Sequence, residues 1–278
     1  MVELTSRRIG GDITGNRIRF ASRMRSSGMN VIDAVGDFAI NGDSPEILAN
    51  ESELYFAVPE ADAVIKRVGL PADRTLDLRQ AALFALSVSL IDDISKYYLE
   101  AYDLNGNEEK LAVAYNRHCV DQRISELTER VCKPTGFKLK SLSLADGYRQ
   151  YCRSVGGDLI CLLDLSPAVC SYCFLYHDRP ISLGAVTCSK SNTDTMSVID
   201  ITATLKFQQA VLFSSGKSAP LSRILITGPS ADGTLVEKIA SMMKITTEYP
   251  SMKPSAFAPG MAAKAESYLV SLGLTVSG

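Results

Sequence analysis

The chain has 278 residues with 29 Lys+Arg against 31 Asp+Glu, close to the size at which one hydrophobic core divides into two. So balanced a charge projects no long-range field toward phosphate backbones, and nucleic acid is not an expected partner. No apolar run approaches the roughly 18–20 residues that span a bilayer, and the opening MVELTSRRIGGDITGN lacks the apolar stretch of a secretory signal.

The segment from Arg8 to Arg25 reads as a hairpin: a strand ending at Asp12, a turn at Thr14-Gly15-Asn16, and a return strand through Arg17-Ile18-Arg19-Phe20-Ala21. A third strand is expected from Val31 to Ile40. Short strands follow from Leu54 to Val58 and from Ala63 to Val68, the second stopped by Gly69-Leu70-Pro71. The spacing of Leu76, Leu83, Leu86, Leu90 and Ile91 predicts a helix. Asn105-Gly106-Asn107 then turns between strands from Tyr97 to Tyr102 and from Lys110 to Tyr115. Val120 to Cys132 is an amphipathic helix, Phe137 to Leu144 a strand, and Leu144 to Cys152 a helix.

The clearest strand runs from Leu159 to Asp164. After Leu165-Ser166-Pro167 comes a return strand from Val169 to Tyr176, a turn at His177-Asp178-Arg179-Pro180, and a third strand from Ile181 to Val186. This repeats the N-terminal order: strand ending in Asp, small polar turn, strand, turn, strand. A polar connection from Ser189 to Asp194 leads to a helix from Met196 to Phe213, and a strand from Leu221 to Ile226 ends in Thr227-Gly228-Pro229-Ser230. A helix from Thr234 to Met243, a short strand from Ile245 to Glu248 and a final helix from Met261 to Leu272, closed by Gly273, complete the chain.

Seven cysteines scattered through apolar strands read as reduced thiols. Cys170 and Cys173 lie three apart in an alternating strand, so they face opposite sides and read as small buried hydrophobes. Arg7, Arg8, Arg17, Arg19, Arg23 and Arg25 concentrate charge near the N-terminus. They make either a solvated strand face or a patch for anionic lipid or an acidic partner. Tyr97, Tyr98 and Tyr102 either mark an exposed face or pack over the adjacent helix.

Gly11-Asp12-Ile13-Thr14-Gly15-Asn16 and Leu163-Asp164-Leu165-Ser166-Pro167-Ala168 each set one Asp at a strand end before a tight turn with a hydroxyl residue. Two such turns facing each other cradle phosphates with backbone N–H groups, while Asp12 and Asp164 position a hydrated Mg²⁺. Each alone is also an ordinary hairpin turn. Their repetition, with a third glycine turn at Thr227-Gly228, is what brings a nucleotide site into consideration.

In order and spacing these motifs resemble the PilM family of type IV pilus proteins, with its relatives in type II secretion and mannose-sensitive-haemagglutinin pilus assembly, within the actin superfamily. Ile9-Gly10-Gly11-Asp12-Ile13-Thr14-Gly15-Asn16 is similar to the first phosphate turn, and Ile160-Cys161-Leu162-Leu163-Asp164-Leu165-Ser166 to the second. Tyr55-Phe56-Ala57-Val58-Pro59 with Ile65-Lys66-Arg67-Val68-Gly69-Leu70-Pro71 resembles the strand pair before the family's inserted module. Arg223-Ile224-Leu225-Ile226-Thr227-Gly228 resembles the strand and turn approaching adenosine, and Tyr268-Leu269-Val270-Ser271-Leu272-Gly273-Leu274 the closing helix. The resemblance implies an α/β, actin-like ATPase (ribonuclease H-like) fold with two lobes and a small inserted α+β module. Residues 1–76 and 141–150 would form the first lobe, 77–140 the module, and 151–278 a shortened second lobe. It implies ATP and Mg as cofactors, with binding residues Asp12, Thr14, Gly15, Asn16, Asp164, Ser166, Lys206, Gly228 and Ser230 and metal contacts from Asp12 and Asp164. It also implies a cytoplasmic scaffold that binds the cytoplasmic tail of a bitopic inner-membrane assembly protein (PilN-like) and is recruited to the membrane without inserting. Motor ATPases or further copies of itself are the other implied partners.

The chain departs from the family pattern where nucleotide chemistry would need it most. Leu165-Ser166-Pro167 replaces a glycine and small hydroxyl residues, and Pro167 removes an N–H. Gly228 is followed by Pro229-Ser230 rather than by more glycine, Thr204 stands near where a Glu belongs, and no acid is positioned as a base for water. The expectation is a scaffold with weak or lost ATP binding and no efficient hydrolysis. The alternative is an ATPase or phosphotransferase of the same superfamily; a third reading, an actin-like polymer, needs longitudinal surfaces that a shortened lobe reduces.

Overall fold

The computed structural model of the protein describes residues 7–26, 29–42, 45, 52–69, 77–103, 109–156, 159–167, 169–187, 194–214 and 219–276. The expected turn at 105–107, the stop at 70–71, the connection at 189–193 and Cys188 lie outside these residues. Strands β1 (Arg7–Thr14), β2 (Arg17–Ser26) and β3 (Met29–Ala39) form an antiparallel meander, and β4 (Ser52–Val58) joins β1 in parallel. The chain then leaves this sheet. Strand β5 (Ala63–Gly69), helix α1 (Leu78–Ser87), and strands β6 (Tyr97–Asp103) and β7 (Glu109–Asn116) build a separate antiparallel sheet of order β5-β7-β6. Helix α2 (Arg117–Arg130) follows, started by the Asn116 side chain, which accepts from the Cys119 N–H. Strand β8 (Gly136–Leu139) returns to pair with β4, so the first sheet runs β3-β2-β1-β4-β8.

Helix α3 (Lys140–Tyr151) carries the chain into a second sheet with the same plan. Strands β9 (Leu159–Asp164), β10 (Val169–Tyr176) and β11 (Arg179–Thr187) form the meander. After helix α4 (Asp194–Ser214), β12 (Leu221–Thr227) pairs in parallel with β9. After helix α5 (Gly233–Met243), β13 (Thr246–Glu248) pairs in parallel with β12. The order β11-β10-β9-β12-β13 reproduces the first sheet strand for strand. The duplication expected from the two Asp-ended strands is therefore a duplication of whole sheets.

Four apolar clusters explain why the described elements lie as they do. Between the sheets, α3 and the closing helix α7 (Leu269–Leu274) bury Leu144, Tyr148, Leu269 and Leu272 against Ala21 and Ala57 of the first sheet and Leu162, Cys173 and Leu225 of the second. The two halves exchange helices: α7 lies against β1, β2 and β4, whereas α3 leans on β10 and β11. Outside the second sheet, α4 and α5 cover Cys161, Phe174 and Ile224. Outside the first, Leu111, Val113 and Tyr115 of β7 and Val120 and Leu127 of α2 cover Ile9, Phe20 and Phe56. The alternate residues of β7, Ala112 and Ala114, face Ala82 and Leu86 of α1, so the small sheet is apolar on both faces at a period of two. Cys170 and Cys173 fall in different clusters on opposite faces of β10, as their spacing requires. Among the described residues no helix is long and apolar enough to cross a membrane.

Three sequence expectations change. The strand expected to run to Leu144 stops at Leu139, and Lys140 opens a helix. The run Phe137-Lys138-Leu139-Lys140-Ser141-Leu142-Ser143-Leu144 alternates like a strand, but the first turn of α3 is buried on every side, so its apolar residues need not follow a helical stripe. The final helix is not continuous: α6 (Ala262–Ala265), a 3₁₀ turn at Glu266–Tyr268 and α7 divide it. Gly273 lies inside α7 instead of ending it, because a Cβ there would run into the Ser143 carbonyl of α3, and Gly147 meets the Leu269 carbonyl in the same way. Strand pairing also differs from that expected at the edges of 77–140. β5, expected with the first lobe, pairs with β7, and β8, expected with the module, pairs with β4.

Candidate functional site

Asp12 and Asp164 occupy equivalent positions in the two sheets, near the carboxyl ends of β1 and β9. Asp12 pairs in register with Arg19, and Asp164 with Ser171. Because α3 and α7 fasten the sheets together, the two strand ends face each other. The group between them is the side chain of Lys140, the first residue of α3. Its Nζ lies 3.0 Å from Asp12 Oδ2, 2.9 Å from Asp164 Oδ2 and 3.1 Å from Ser166 Oγ. Ser166 in turn donates to Asp164 Oδ2 at 2.9 Å. An ammonium has three donors, and here each has an acceptor. All four residues are buried, Asp164 to 1 % and Lys140 to 6 % residual exposure.

Burial alone would pull the Lys140 pKa down, but Asp12 and Asp164 and the hydrogen bonds to them more than offset it, and the amine is held above its ordinary value as an ammonium. Burial also pushes the Asp12 carboxyl up, opposed by Lys140 and reinforced by the neighbouring Asp164. Arg19, stacked 4.4 Å from the Tyr268 ring and donating to Ser267 Oγ, adds positive potential at Asp12. The donor set therefore does not fit a metal as it stands. Mg²⁺ needs oxygen ligands at about 2.0–2.1 Å in an octahedron, and the place where both carboxylates would bridge it holds a cation already.

A second internal group closes the other phosphate-attracting feature, the start of α3. Leu139 cannot cap this helix with its side chain. Glu60, from the 3₁₀ turn Glu60–Asp62 between β4 and β5, does so instead: its Oε1 accepts the Ser141 N–H at 2.7 Å, and its Oε2 accepts the Ser171 hydroxyl of β10 at 2.6 Å. A carboxylate is thus seated at the positive end of the helix, where an anion would otherwise be favoured. Burial raises the Glu60 carboxyl above its usual range, with the bonds from Ser171 and Ser141 opposing.

The remaining expected residues are divided. Thr14 and Gly15 line a cleft of about 280 Å³ together with Asp12, Lys140, Ser166 and Arg123, just below the roughly 300–1,000 Å³ range of small-molecule sites. Asn16 is exposed in the turn, its carbonyl accepting the Ile40 N–H. Gly228 and Ser230 do not line this cleft. The Leu165 N–H donates to Thr227 O and the Ser230 N–H to Leu165 O, so the turns after β9 and β12 are stitched to each other. Gly228, at φ +102°, is required by that stitch: a Cβ would meet the Leu165 backbone at 2.5–2.7 Å and Asp164 Oδ1 at 2.8 Å. Pro167 and Pro229 are exposed and do not fill the cleft. Lys206 projects from the exposed side of α4 and is not part of the cluster. Sequence reasoning missed Lys140 and Glu60. Lys140 shares the alternating run 137–144 with Lys138, Ser141 and Ser143, so nothing local marked it as the buried one.

The geometry above matches solved structures. The chain resembles that of a PilM-PilN type IV pilus biogenesis complex with a TM-score of 0.66 and 14% identity, covering 96% of this chain and 97% of that one. It also resembles a Bacteroides thetaiotaomicron protein described as having an actin-like ATPase fold and unknown function, with a TM-score of 0.56 and 8% identity over the whole of both chains. The chain has the actin-like ATPase fold. At these identities the likeness is one of fold. No family model matches the chain, and no curated protein matches it significantly. At the centre of this chain an internal ammonium lies between Asp12 and Asp164, and an internal carboxylate caps the start of α3.

Proposed function

We propose that the protein is a non-catalytic assembly scaffold of the PilM type, in which the nucleotide cleft of the actin-like fold has become a fixed contact between the lobes. The observation that carries this reading is the Lys140 ammonium bridging Asp12 and Asp164. Breaking it to admit a metal would leave a buried cation unpaired, and truncating one partner of a buried ion pair costs about 3–5 kcal/mol. Exposed apolar side chains on two helices support an interaction role: Phe84 and Val88 at the end of α1, with Ile91 beyond it, and Ile199, Phe207, Val211 and Phe213 on α4. The likeness to a PilM-PilN complex over nearly the whole chain supports a place in type IV pilus or type II secretion-like assembly. In this reading the partner is the cytoplasmic tail of a bitopic, PilN-like inner-membrane protein, and the scaffold sits on the cytoplasmic side of the membrane. The inserted module comprises residues 63–135, which leave the first sheet after β4 and return at β8.

Calorimetric titration of the full chain with Mg-ATP tests the cleft. The expected result is no heat at millimolar nucleotide from a folded sample. Micromolar binding that disappears in Asp12→Ala/Asp164→Ala would overturn the reading and restore an ATPase or phosphotransferase. Crosslinking in cells followed by mass spectrometry tests the partner. A membrane protein with one spanning segment and a short cytoplasmic tail is expected among the crosslinked species, and its absence counts against the assembly role.

A further inference from the structure

The amino end of β1, at the opposite end of the first sheet from the Asp12 cluster, carries a basic pocket. Arg7, Arg8, Arg23, Arg25, Asn30 and Glu53 line a space of about 160 Å³, the size class of a cavity that holds a benzene-sized molecule. Arg8 and Arg23 stand directly opposite each other in the β1–β2 ladder, and Arg25 is two residues further along the same face. That face is the one on which Gly10 meets α7 and Ala21 enters the central core. Like charges directly opposed across a ladder are destabilising, so the chain places these arginines together at a cost.

The sister sheet shows that the fold does not require them. Aligned on Asp12 and Asp164, the Arg8–Arg23 pair corresponds to Ile160–Leu175, which face each other in the β9–β10 ladder and are buried in the central core. The same register position therefore accepts an apolar pair.

The charge around the pocket is incompletely answered. Asp33 accepts from Arg7 at 2.8 Å, and Glu53 accepts from Nε and a terminal nitrogen of Arg8 at 3.0 and 2.8 Å. Arg8 is further fixed by stacking 4.7 Å from the Tyr55 ring centroid. Arg23 lies beside the Tyr151 hydroxyl. No carboxylate among the described residues pairs with Arg23 or Arg25, whereas Asp33 pairs with Arg7 and Glu53 with Arg8.

We propose that this pocket binds a phosphate group of a small phosphoester or of an anionic phospholipid headgroup. Arg23 and Arg25 supply the charge-assisted hydrogen bonds, and Arg7 and Arg8, already oriented by Asp33 and Glu53, shape the pocket's floor. Planar guanidinium forks match the geometry of phosphate oxygens, and an anion between Arg8 and Arg23 removes the repulsion that the apo ladder contains.

The test uses the full chain at low ionic strength and compares wild type with Arg25→Gln, Arg23→Gln/Arg25→Gln, and the control Arg17→Gln. Arg17 sits at the other end of β2, exposed and paired with Asp37. One arm titrates inorganic phosphate and glycerol phosphate, against chloride at equal ionic strength, and reads thermal stability and binding heat. The other floats the protein on phosphatidylcholine vesicles with and without phosphatidylglycerol. A phosphate-dependent rise in stability, weakened roughly tenfold or more in Arg25→Gln and the double variant and kept in Arg17→Gln, supports the site. Flotation that requires phosphatidylglycerol and the same two arginines identifies the headgroup as the source of the phosphate. Phosphate stabilisation without flotation identifies a soluble phosphoester. Absence of both, or responses that Arg25→Gln and the double variant leave unchanged, overturns the proposal. Arg25 is exposed and has no carboxylate partner among the described residues, so its single substitution keeps the test readable if the double variant folds poorly.

Discussion

The two sheets have the same strand order and the same strand polarity, yet equivalent positions obey different rules. Gly10 of β1 and Leu162 of β9 are register equivalents: Gly10 pairs with Ala21, and Leu162 with Cys173. At Gly10, α7 approaches so closely that a Cβ would collide with the Ser271 carbonyl and lie 2.6 Å from Leu274 Cβ. At Leu162 a full leucine is buried in the central core. The helix exchange accounts for the difference, since α7 rests on the first sheet backbone to backbone, whereas the second sheet meets α3 through large side chains. Topology is thus common to both halves, and side-chain volume is set separately by whichever helix each half receives.

The largest effect is expected where the halves meet on equal terms, at Asp12 and Asp164. Lys140→Met leaves two buried carboxylates without their cation and should lower unfolding stability by about 3–5 kcal/mol at neutral pH. The loss should shrink as the pH falls, because burial has already raised the Asp12 carboxyl, and removing the ammonium raises it further until protonation relieves the site. Urea unfolding of both proteins across the acid range checks this; a loss below about 1 kcal/mol, the scale of a surface pair, would show that Lys140 is not the bridge.

The equivalent pair Gly10 and Leu162 sharpens the comparison in opposite directions. Leu162→Ala removes buried methyls and should cost about 2–5 kcal/mol. Gly10→Ala adds one methyl against the α7 backbone and should cost about 1–3 kcal/mol. If Gly10→Ala is neutral in chemical denaturation, α7 does not rest on β1 as described.

The smallest effect concerns Glu60, which caps α3 from the first half and accepts from Ser171 of the second. Its carboxyl is raised above the ordinary value by burial, so the stability it contributes is complete below that ordinary value and is lost as the pH rises through the higher folded-state value. Glu60→Gln keeps an acceptor for the Ser141 N–H, turns an amide N–H toward Ser171, and cannot ionise. Its stability relative to wild type should therefore improve as the pH is raised from acid to neutral. Parallel curves for the two proteins would mean that Glu60 does not titrate in a buried site.

Much of this architecture was legible in the residues. Alternation marked β2 and β10, a continuous apolar run marked β9, and the repeated Asp-ended strands pointed to a duplication. The paired Asp turns also marked the two strand ends that Lys140 bridges. What lies between them was harder to read. Lys140 sits in a stretch that alternates like a strand, and only the packing of α3 turns it into the first residue of a buried helix. Gly273 resembles a helix stop because glycine favours that position, whereas here it makes room for Ser143.

Periodicity and turn chemistry act over a few residues, so the sequence by itself determined the strands, most helices and the positions of Asp12 and Asp164. Coulomb attraction and desolvation depend on which groups share a buried space. Lys140 and Asp12 are 128 residues apart, and Glu60 and Ser171 are 111 apart. Only the tertiary structure could show that the Lys140 ammonium joins the two halves, because its pairing exists only once the sheets have closed around it.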